Sequence, residues 1–228
     1  MTEAQEQIAY YRARAGEYDE WFRRVGRYDR GPDWTRRWTD EIAQVSDALK
    51  ASAPLGDVLE LAAGTGWWTQ QLAGYADTLT AVDAAPETLA INRQKMAGRP
   101  ITYVEADLFT WRPDRRYDVV FFSFWLSHVP PGRFDAFWGL VRDCLTPGGR
   151  VFFLDSRYEE ASTAADHLLE GEEAETVTRR LNDGSEYRIV KVFHKPDELA
   201  SRLDGLGWDV SVRETPSYFL YGAGRPRP

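Results

Sequence analysis

The sequence has almost no cysteine. Its one thiol, Cys144, excludes an internal disulfide and any zinc site built on clustered cysteines. It also lacks an apolar run approaching the length of a membrane-spanning helix. The first residues, Met1-Thr2-Glu3-Ala4-Gln5-Glu6-Gln7, are polar and acidic, unlike a secretory signal, so a soluble cytoplasmic protein is expected. Basic side chains are a minority: 28 Lys and Arg against 36 Asp and Glu leave a net charge of −8. Such a balance disfavours a broad nucleic-acid-binding surface, which needs clustered cations. No internal repeat or low-complexity linker is present, and 228 residues suffice for one α/β domain with a substantial core.

What is present is patterned. Val58-Leu59-Glu60-Leu61-Ala62-Ala63-Gly64-Thr65-Gly66 reads as a buried strand, an acid, a turn of small residues and a helix start. A second strand follows and also ends in an acid, Thr80-Ala81-Val82-Asp83. A ligand can approach a backbone only where side chains are tiny, hence Ala62, Gly64 and Gly66. The N–H groups opening the next helix then face it, and Asp83 can accept both hydroxyls of a ribose. Two further absences narrow the ligand. The dinucleotide fingerprint needs a third glycine where Thr69 stands, behind Trp67-Trp68, which crowd the space of a pyrophosphate. No Lys-Ser/Thr pair of a phosphate-binding P-loop follows either. A phosphate-free adenosyl ligand fits better, and an NAD-type oxidoreductase is disfavoured.

The stretch Glu60–Gly66 resembles the cofactor loop of class I S-adenosylmethionine-dependent methyltransferases. Val104-Glu105-Ala106-Asp107-Leu108 resembles that family's third-strand end, Tyr117-Asp118-Val119-Val120-Phe121-Phe122 its fourth strand, and Leu145-Thr146-Pro147-Gly148-Gly149-Arg150-Val151 the turn into its fifth. Four motifs in the family's order span roughly residues 55–156; one small departure is Ala62 at the loop's first glycine. The resemblance implies S-adenosylmethionine as cofactor and an α/β fold: a doubly wound, Rossmann-like, seven-stranded, mostly parallel sheet with an antiparallel last strand. It implies that Asp107 meets the adenine amino group while Leu108 packs on the ring, with Ala84, Ala106 and Ser123 beside the cofactor. Glu60 would help hold the loop and the cofactor's methionine end; an acid within an apolar strand needs partners in any case. An N-terminal helix covers the pocket in this family, so Arg14 or Tyr11 would meet the cofactor's carboxylate.

Periodicity organises the rest as a single domain: a helical cap over 1–53, a cofactor-binding core over 54–156, an insertion with a small hairpin over 157–195, and a helix with the last strands over 196–228. One aromatic-rich helix is expected over 4–24. A second follows with Asp33 as N-cap and Trp34, Trp38, Ile42, Val45 and Leu49 as its packing stripe. Strands near 57–61, 79–82, 101–104, 117–122 and 150–154 alternate with helices near 67–74, 86–96 and 132–145, which implies a parallel sheet with ligands at its carboxyl ends. Asn182-Asp183-Gly184-Ser185 signals a hairpin. Residues 157–175 read equally as a lid or as a solvated surface helix.

A sulfonium methyl needs mainly an aligned acceptor in a water-free site. A base is needed only if the acceptor must lose a proton. His128, just beyond the fourth strand, is the candidate base; a loop-orienting histidine is the alternative. His167 and His194 read as structural or solvent-facing. Ser123 and Ser127 stand where a metal-dependent enzyme would need carboxylates, so no metal is expected. The Ser123-Phe124-Trp125-Leu126 run disfavours methylation of base amino groups, and Cys144 is misplaced for cytosine-carbon chemistry. A small-molecule acceptor remains. Tyr18, Trp21, Trp68, Trp125 and Tyr158, with Trp67, would line an aromatic pocket, favouring an apolar or aromatic acceptor. The alternative is a non-catalytic cofactor-binding module that acts through a partner. The sequence leaves the oligomeric state open.

Overall fold

Alternating apolar strands and amphipathic helices build a seven-stranded sheet in the computed structural model, which describes residues 3–53, 55–167 and 170–228. The chain runs α1 Glu3–Arg14, α2 Tyr18–Arg23, α3 Pro32–Lys50, β1 Gly56–Leu61, α4 Trp67–Leu72, β2 Ala76–Asp83, α5 Pro86–Lys95, β3 Ile101–Glu105 and β4 Tyr117–Ser123. It continues through α6 Phe134–Asp143, β5 Leu145–Ser156, β6 Thr176–Arg180, β7 Glu186–Val190, α7 Pro196–Gly205, β8 Trp208–Glu214 and β9 Phe219–Pro226. The sheet order is β3-β2-β1-β4-β5-β9-β8. The first five strands pair in parallel, and β9 runs antiparallel to both neighbours. Among the described residues no helix is long and apolar enough to cross a membrane.

Both sheet faces are covered, because successive residues of a strand point to opposite sides. Val58 and Phe121 join Trp38, Ile42, Val45 and Leu49 of α3 in one core. Their neighbours Leu59 and Phe122 join Phe137, Trp138 and Val141 of α6 in the other. The connections diverge between β1 and β4, so the carboxyl ends of these strands open a crevice. The hairpin β6–β7 forms a separate two-stranded sheet and packs on α1 through Tyr10, Val177, Leu181 and Ile189.

Several local expectations are corrected. The single helix over 4–24 is two helices: the chain turns at Ala15-Gly16-Glu17, where the Glu17 N–H bonds the Arg14 carbonyl, and glycine is a poor helix residue. Asp33 does not cap α3. Gly31 holds the cap position without a side-chain bond, Pro32 opens the helix, and Asp33 pairs with Arg36 inside the first turn. Trp34 leaves the packing stripe and carries Arg37 over its ring at the surface, because the first turn overhangs the core. Described residues of 157–175 form no surface helix, only one short turn at Glu160–Ser162. The fifth strand is longer than its apolar run, since the Pro147-Gly148-Gly149 segment already follows β4 with a register shift.

Candidate active site

Two adjoining cavities lie at the carboxyl ends of the strands, under α1 and α2. The first has its floor at Ala62 and Gly64 and its acids at Asp83, which ends β2, and Asp107, two residues past β3. Ala84, Leu108, Ser123 and Trp125 continue its walls, and Gln7, Ile8, Tyr11 and Tyr18 roof it. Asp83 is held by the Gly64 N–H at 2.8 Å, the Ala85 N–H at 2.9 Å and the Thr88 hydroxyl at 3.2 Å. One oxygen of Asp107 accepts the Phe109 N–H at 2.9 Å. Among the described residues no Lys or Arg lines this cavity. Two carboxylates without a cation suit an adenosyl sulfonium and repel a phosphate-bearing dinucleotide, so these residues fit a phosphate-free, positively charged cofactor.

The loop holds its shape through a buried relay beneath it. Ala62 takes a left-handed φ of 53°, a conformation non-glycine residues rarely adopt. Gly66 has φ 92°, and a Cβ there would lie 2.8 Å from the Asn92 side chain. Asn92 Nδ2 donates to Thr69 Oγ1 at 2.8 Å, and the Thr69 hydroxyl donates to Glu60 at 2.6 Å. Glu60 is therefore a strut behind the loop rather than a cavity wall, and burial pushes its carboxyl up to about 8. Trp67 and Trp68 do not crowd the space above the loop. Trp67 stacks on Phe22 at 4.7 Å, and Trp68 is buried in the core against Phe121.

The second cavity adjoins the first through a shared wall of Tyr11, Tyr18, Phe124 and His128. Its chemistry is the reverse. Arg14, Arg179 and Lys191 line it with the hydroxyl-bearing Tyr28, Ser156 and Thr163, and among the described residues no carboxylate does. Arg14 lies over the Tyr18 ring at 4.8 Å and donates to the Tyr28 hydroxyl at 3.1 Å. Arg179 is 8% exposed, and its buried Nη1 has no hydrogen-bond partner. Lys191 donates to the Ser127 hydroxyl at 2.8 Å and lies 3.6 Å from Asp155, which sits behind the wall accepting the Ser127 and Ser156 N–H groups. Burial, opposed by Asp155, brings Lys191 down to about 8. Three cations thus face one space against one carboxylate behind it, in a chain whose net charge is −8.

His128 is fixed within the shared wall. Its Nδ1 lies 2.6 Å from the Val190 carbonyl, which can only accept, so Nδ1 carries the proton. Nε2 is then a lone pair and accepts the Tyr11 hydroxyl at 2.7 Å. Burial, reinforced by Lys191, holds the imidazole down to about 3, so it stays neutral.

The sequence-based site residues divide accordingly. Tyr11, Tyr18, Ala62, Gly64, Asp83, Ala84, Asp107, Leu108, Ser123, Trp125 and His128 come together around the first cavity. Arg14 and Trp21 line the second instead. Glu60 and Gly66 support the loop from behind, and Ala106 bonds its N–H to the Asp83 carbonyl. Trp68 lines neither cavity because the core takes it, and Tyr158 lies at the surface with its hydroxyl on the Glu170 carbonyl. His167 and His194 are not solvent-facing: burial lowers both, and His167 is locked by Arg27 and the Arg180 backbone. Sequence reasoning missed Tyr28, Arg179 and Lys191. A signal for Arg179 was there: it stands two residues after Val177 in the alternating strand β6, which puts a cation on the buried face, while Lys191 follows β7 directly after two buried residues.

Residues 58–149 match the family described as a methyltransferase domain. The chain is 41% identical to DhpI, solved with S-adenosylhomocysteine, over 99% of this chain and 98% of that one, at a TM-score of 0.81. A second DhpI structure holds SAM and HEP. The chain is also similar to nodulation protein S of Rhizobium tropici, 28% identical over 112 residues, which is 47% of this chain and 46% of that protein. The match thus spans about half the length of that relative. A 1,6-didemethyltoxoflavin-N1-methyltransferase of Burkholderia thailandensis shares the fold at 19% identity and a TM-score of 0.62, over 99% of this chain and 89% of that one.

Proposed function

This chain belongs to the class I S-adenosylmethionine-dependent methyltransferases, and from that premise we propose that it methylates a small molecule bearing an oxyanion, on an oxyanion oxygen. The observation that carries the reading is the reversal of charge across one wall: among the described residues, two acids and no cation around the first cavity, three cations and no acid around the second. S-adenosylmethionine, when bound, supplies an electrophilic methyl on a positively charged sulfur. Asp83 and Asp107 would hold the adenosyl part in the first cavity. Arg14, Arg179 and Lys191 would hold the acceptor's negative group in the second, with the Tyr28, Ser156 and Thr163 hydroxyls filling its remaining oxygen positions.

An oxyanion oxygen also answers the shortage of bases. His128 is neutral, its free lone pair is spent on Tyr11, and its proton affinity is too low to take another. A nucleophile that is already ionised needs no such help. With the cofactor bound, an acceptor anion held by Arg14, Arg179 and Lys191 would take the methyl as the electron pair of the old bond stays on sulfur, and the opposite charges would cancel. Desolvation of the facing charges strengthens their attraction in the closed site. Of the aromatic residues expected around the acceptor, Trp68 and Tyr158 stand outside both cavities, whereas Tyr18, Trp21 and Trp125 line them, so rings wall the acceptor space beside its cations.

The test is transfer of labelled methyl from S-adenosylmethionine to a panel of phosphate monoesters, phosphonates, sulfonates and carboxylates, with catechol and neutral phenols alongside. Label is expected in at least one oxyanion class and in no neutral compound. Label in the neutral aromatics alone would sink the reading.

A further inference from the structure

The wall between the two cavities has an unusual electrostatic property, which comes from a chain of fixed protons. A carbonyl accepts and never donates, so Val190 assigns the proton of His128 to Nδ1. Nε2 therefore accepts, and the Tyr11 proton is committed to it at 2.7 Å. A phenol has one proton and two acceptor positions. The Tyr11 oxygen thus presents only lone-pair density to the space on either side of it. Burial raises the Tyr11 hydroxyl well above its ordinary range and holds His128 down to about 3, so the proton rests on tyrosine.

Neither partner can easily turn. The rings of Tyr11 and His128 meet edge-on with centroids 5.5 Å apart, and the Tyr10 ring packs against Tyr11 at 5.0 Å. The backbone of His128 is held too, with its carbonyl accepting from Gln7 Nε2 at 3.3 Å and its N–H bonding the Trp125 carbonyl at 2.8 Å. Tyr11 lines both cavities, as does His128. The free lone pairs of the Tyr11 oxygen thus sit on the wall that a group passing from one cavity to the other would cross.

We propose that Tyr11 is a catalytic residue whose phenol oxygen, oriented by His128, contacts the reacting methyl and stabilises the positive charge that it carries in transit. His128 is the positioning residue and never a proton acceptor from substrate. The effect is that of a preorganised dipole: nothing needs to reorient when the methyl leaves sulfur. The proposal rests on transfer across this wall, but it concerns the donor side and holds for any acceptor.

The experiment reads the methyl group itself. Cofactor carrying a 13C-methyl is bound to wild-type, Tyr11→Phe, His128→Asn and His128→Gln protein, and the methyl proton resonance is recorded without acceptor. A C–H facing a lone pair is deshielded, so the wild-type resonance should lie downfield of the free cofactor. Tyr11→Phe should return it upfield. Asparagine can replace Nδ1 toward Val190 but leaves the tyrosine proton without an acceptor, so His128→Asn should lose the shift as well. Glutamine places its amide oxygen where Nε2 stands, so His128→Gln should recover much of it. Turnover should follow the same order, with kcat about tenfold or more lower in Tyr11→Phe and the affinity for S-adenosylhomocysteine changed less than about threefold. A resonance unmoved by Tyr11→Phe overturns the proposal, as does an equal loss in both histidine variants. Failure of every oxyanion in the wild type, with the resonance shift intact, counts against the acceptor class and not against Tyr11.

Discussion

At the scale of single residues, the site depends on groups kept in charge states they would not hold in water. Glu60 is the clearest example for stability. Its carboxyl is pushed up to about 8 from an ordinary 4.5 by burial, with only the Thr69 hydroxyl opposing. Between those values the folded chain holds a proton that the unfolded chain has lost, so stability from this group falls as pH rises toward 8. Glu60→Gln keeps the shape without the proton. Thermal unfolding of the two proteins from pH 5 to pH 9 should diverge, with the glutamine variant gaining on the wild type by an amount on the order of a few kcal/mol. A wild type that gains on the variant with rising pH would contradict this. Asp83 was legible in the sequence because it ends an apolar strand beside a turn, whereas Asp107, two residues past β3, was singled out by the family resemblance alone. Arg179 and Lys191 were not, because a charged residue on a hairpin normally faces water. Here the hairpin's inner face packs on α1 through Val177 and Ile189 and carries both cations inward with it.

At the scale of elements, α1 and α2 act as the roof of both cavities, tied to the body by buried Tyr10, Trp21 and Phe22 and by polar contacts to the cofactor loop and α5. Asp19 is the principal one in α2. It accepts the Thr65 hydroxyl of the cofactor loop at 2.6 Å and meets Lys95 of α5 at 2.5 Å. Arg12 of α1 makes a two-pronged contact with Glu87 of α5, with both side chains about half-exposed. The exposed Arg12–Glu87 pair contributes little to folding, yet contacts of this kind bear on how readily a roof lifts. Asp19→Ala should therefore speed the release of S-adenosylhomocysteine several-fold in a stopped-flow chase while the unfolding temperature moves only slightly. Release at the wild-type rate would remove α2 from the gate. The parallel core was readable from alternation and turn chemistry. The division of the first helix was not, since Tyr10, Tyr11, Tyr18, Trp21 and Phe22 continue a helical pattern across the break at Ala15-Gly16-Glu17. The reason is tertiary: the turn swings Tyr18 and Trp21 over the strand ends.

At the scale of the whole molecule, an acidic chain encloses a cationic cavity next to an acidic one. That separation is what a reaction between a positive donor and a negative acceptor needs, since each partner is held by the opposite charge and the two neutralise on reaction. The surface excess of carboxylates does not oppose binding strongly at physiological ionic strength, where charges more than about 8 Å away are largely screened. Lys191 adds a dependence on pH. Free of ligand it loses its proton near pH 8, so anion affinity should fall as pH rises through that value. The most direct test is a calorimetric titration of inorganic sulfate, whose own charge is constant over this range, into protein saturated with S-adenosylhomocysteine. Wild-type protein should bind it saturably at pH 6.5 and less tightly at pH 9.5, and Arg179→Gln should bind at least tenfold more weakly at the lower pH. No binding to the wild type at pH 6.5, or binding indifferent to both pH and Arg179, would contradict an oxyanion site in the second cavity.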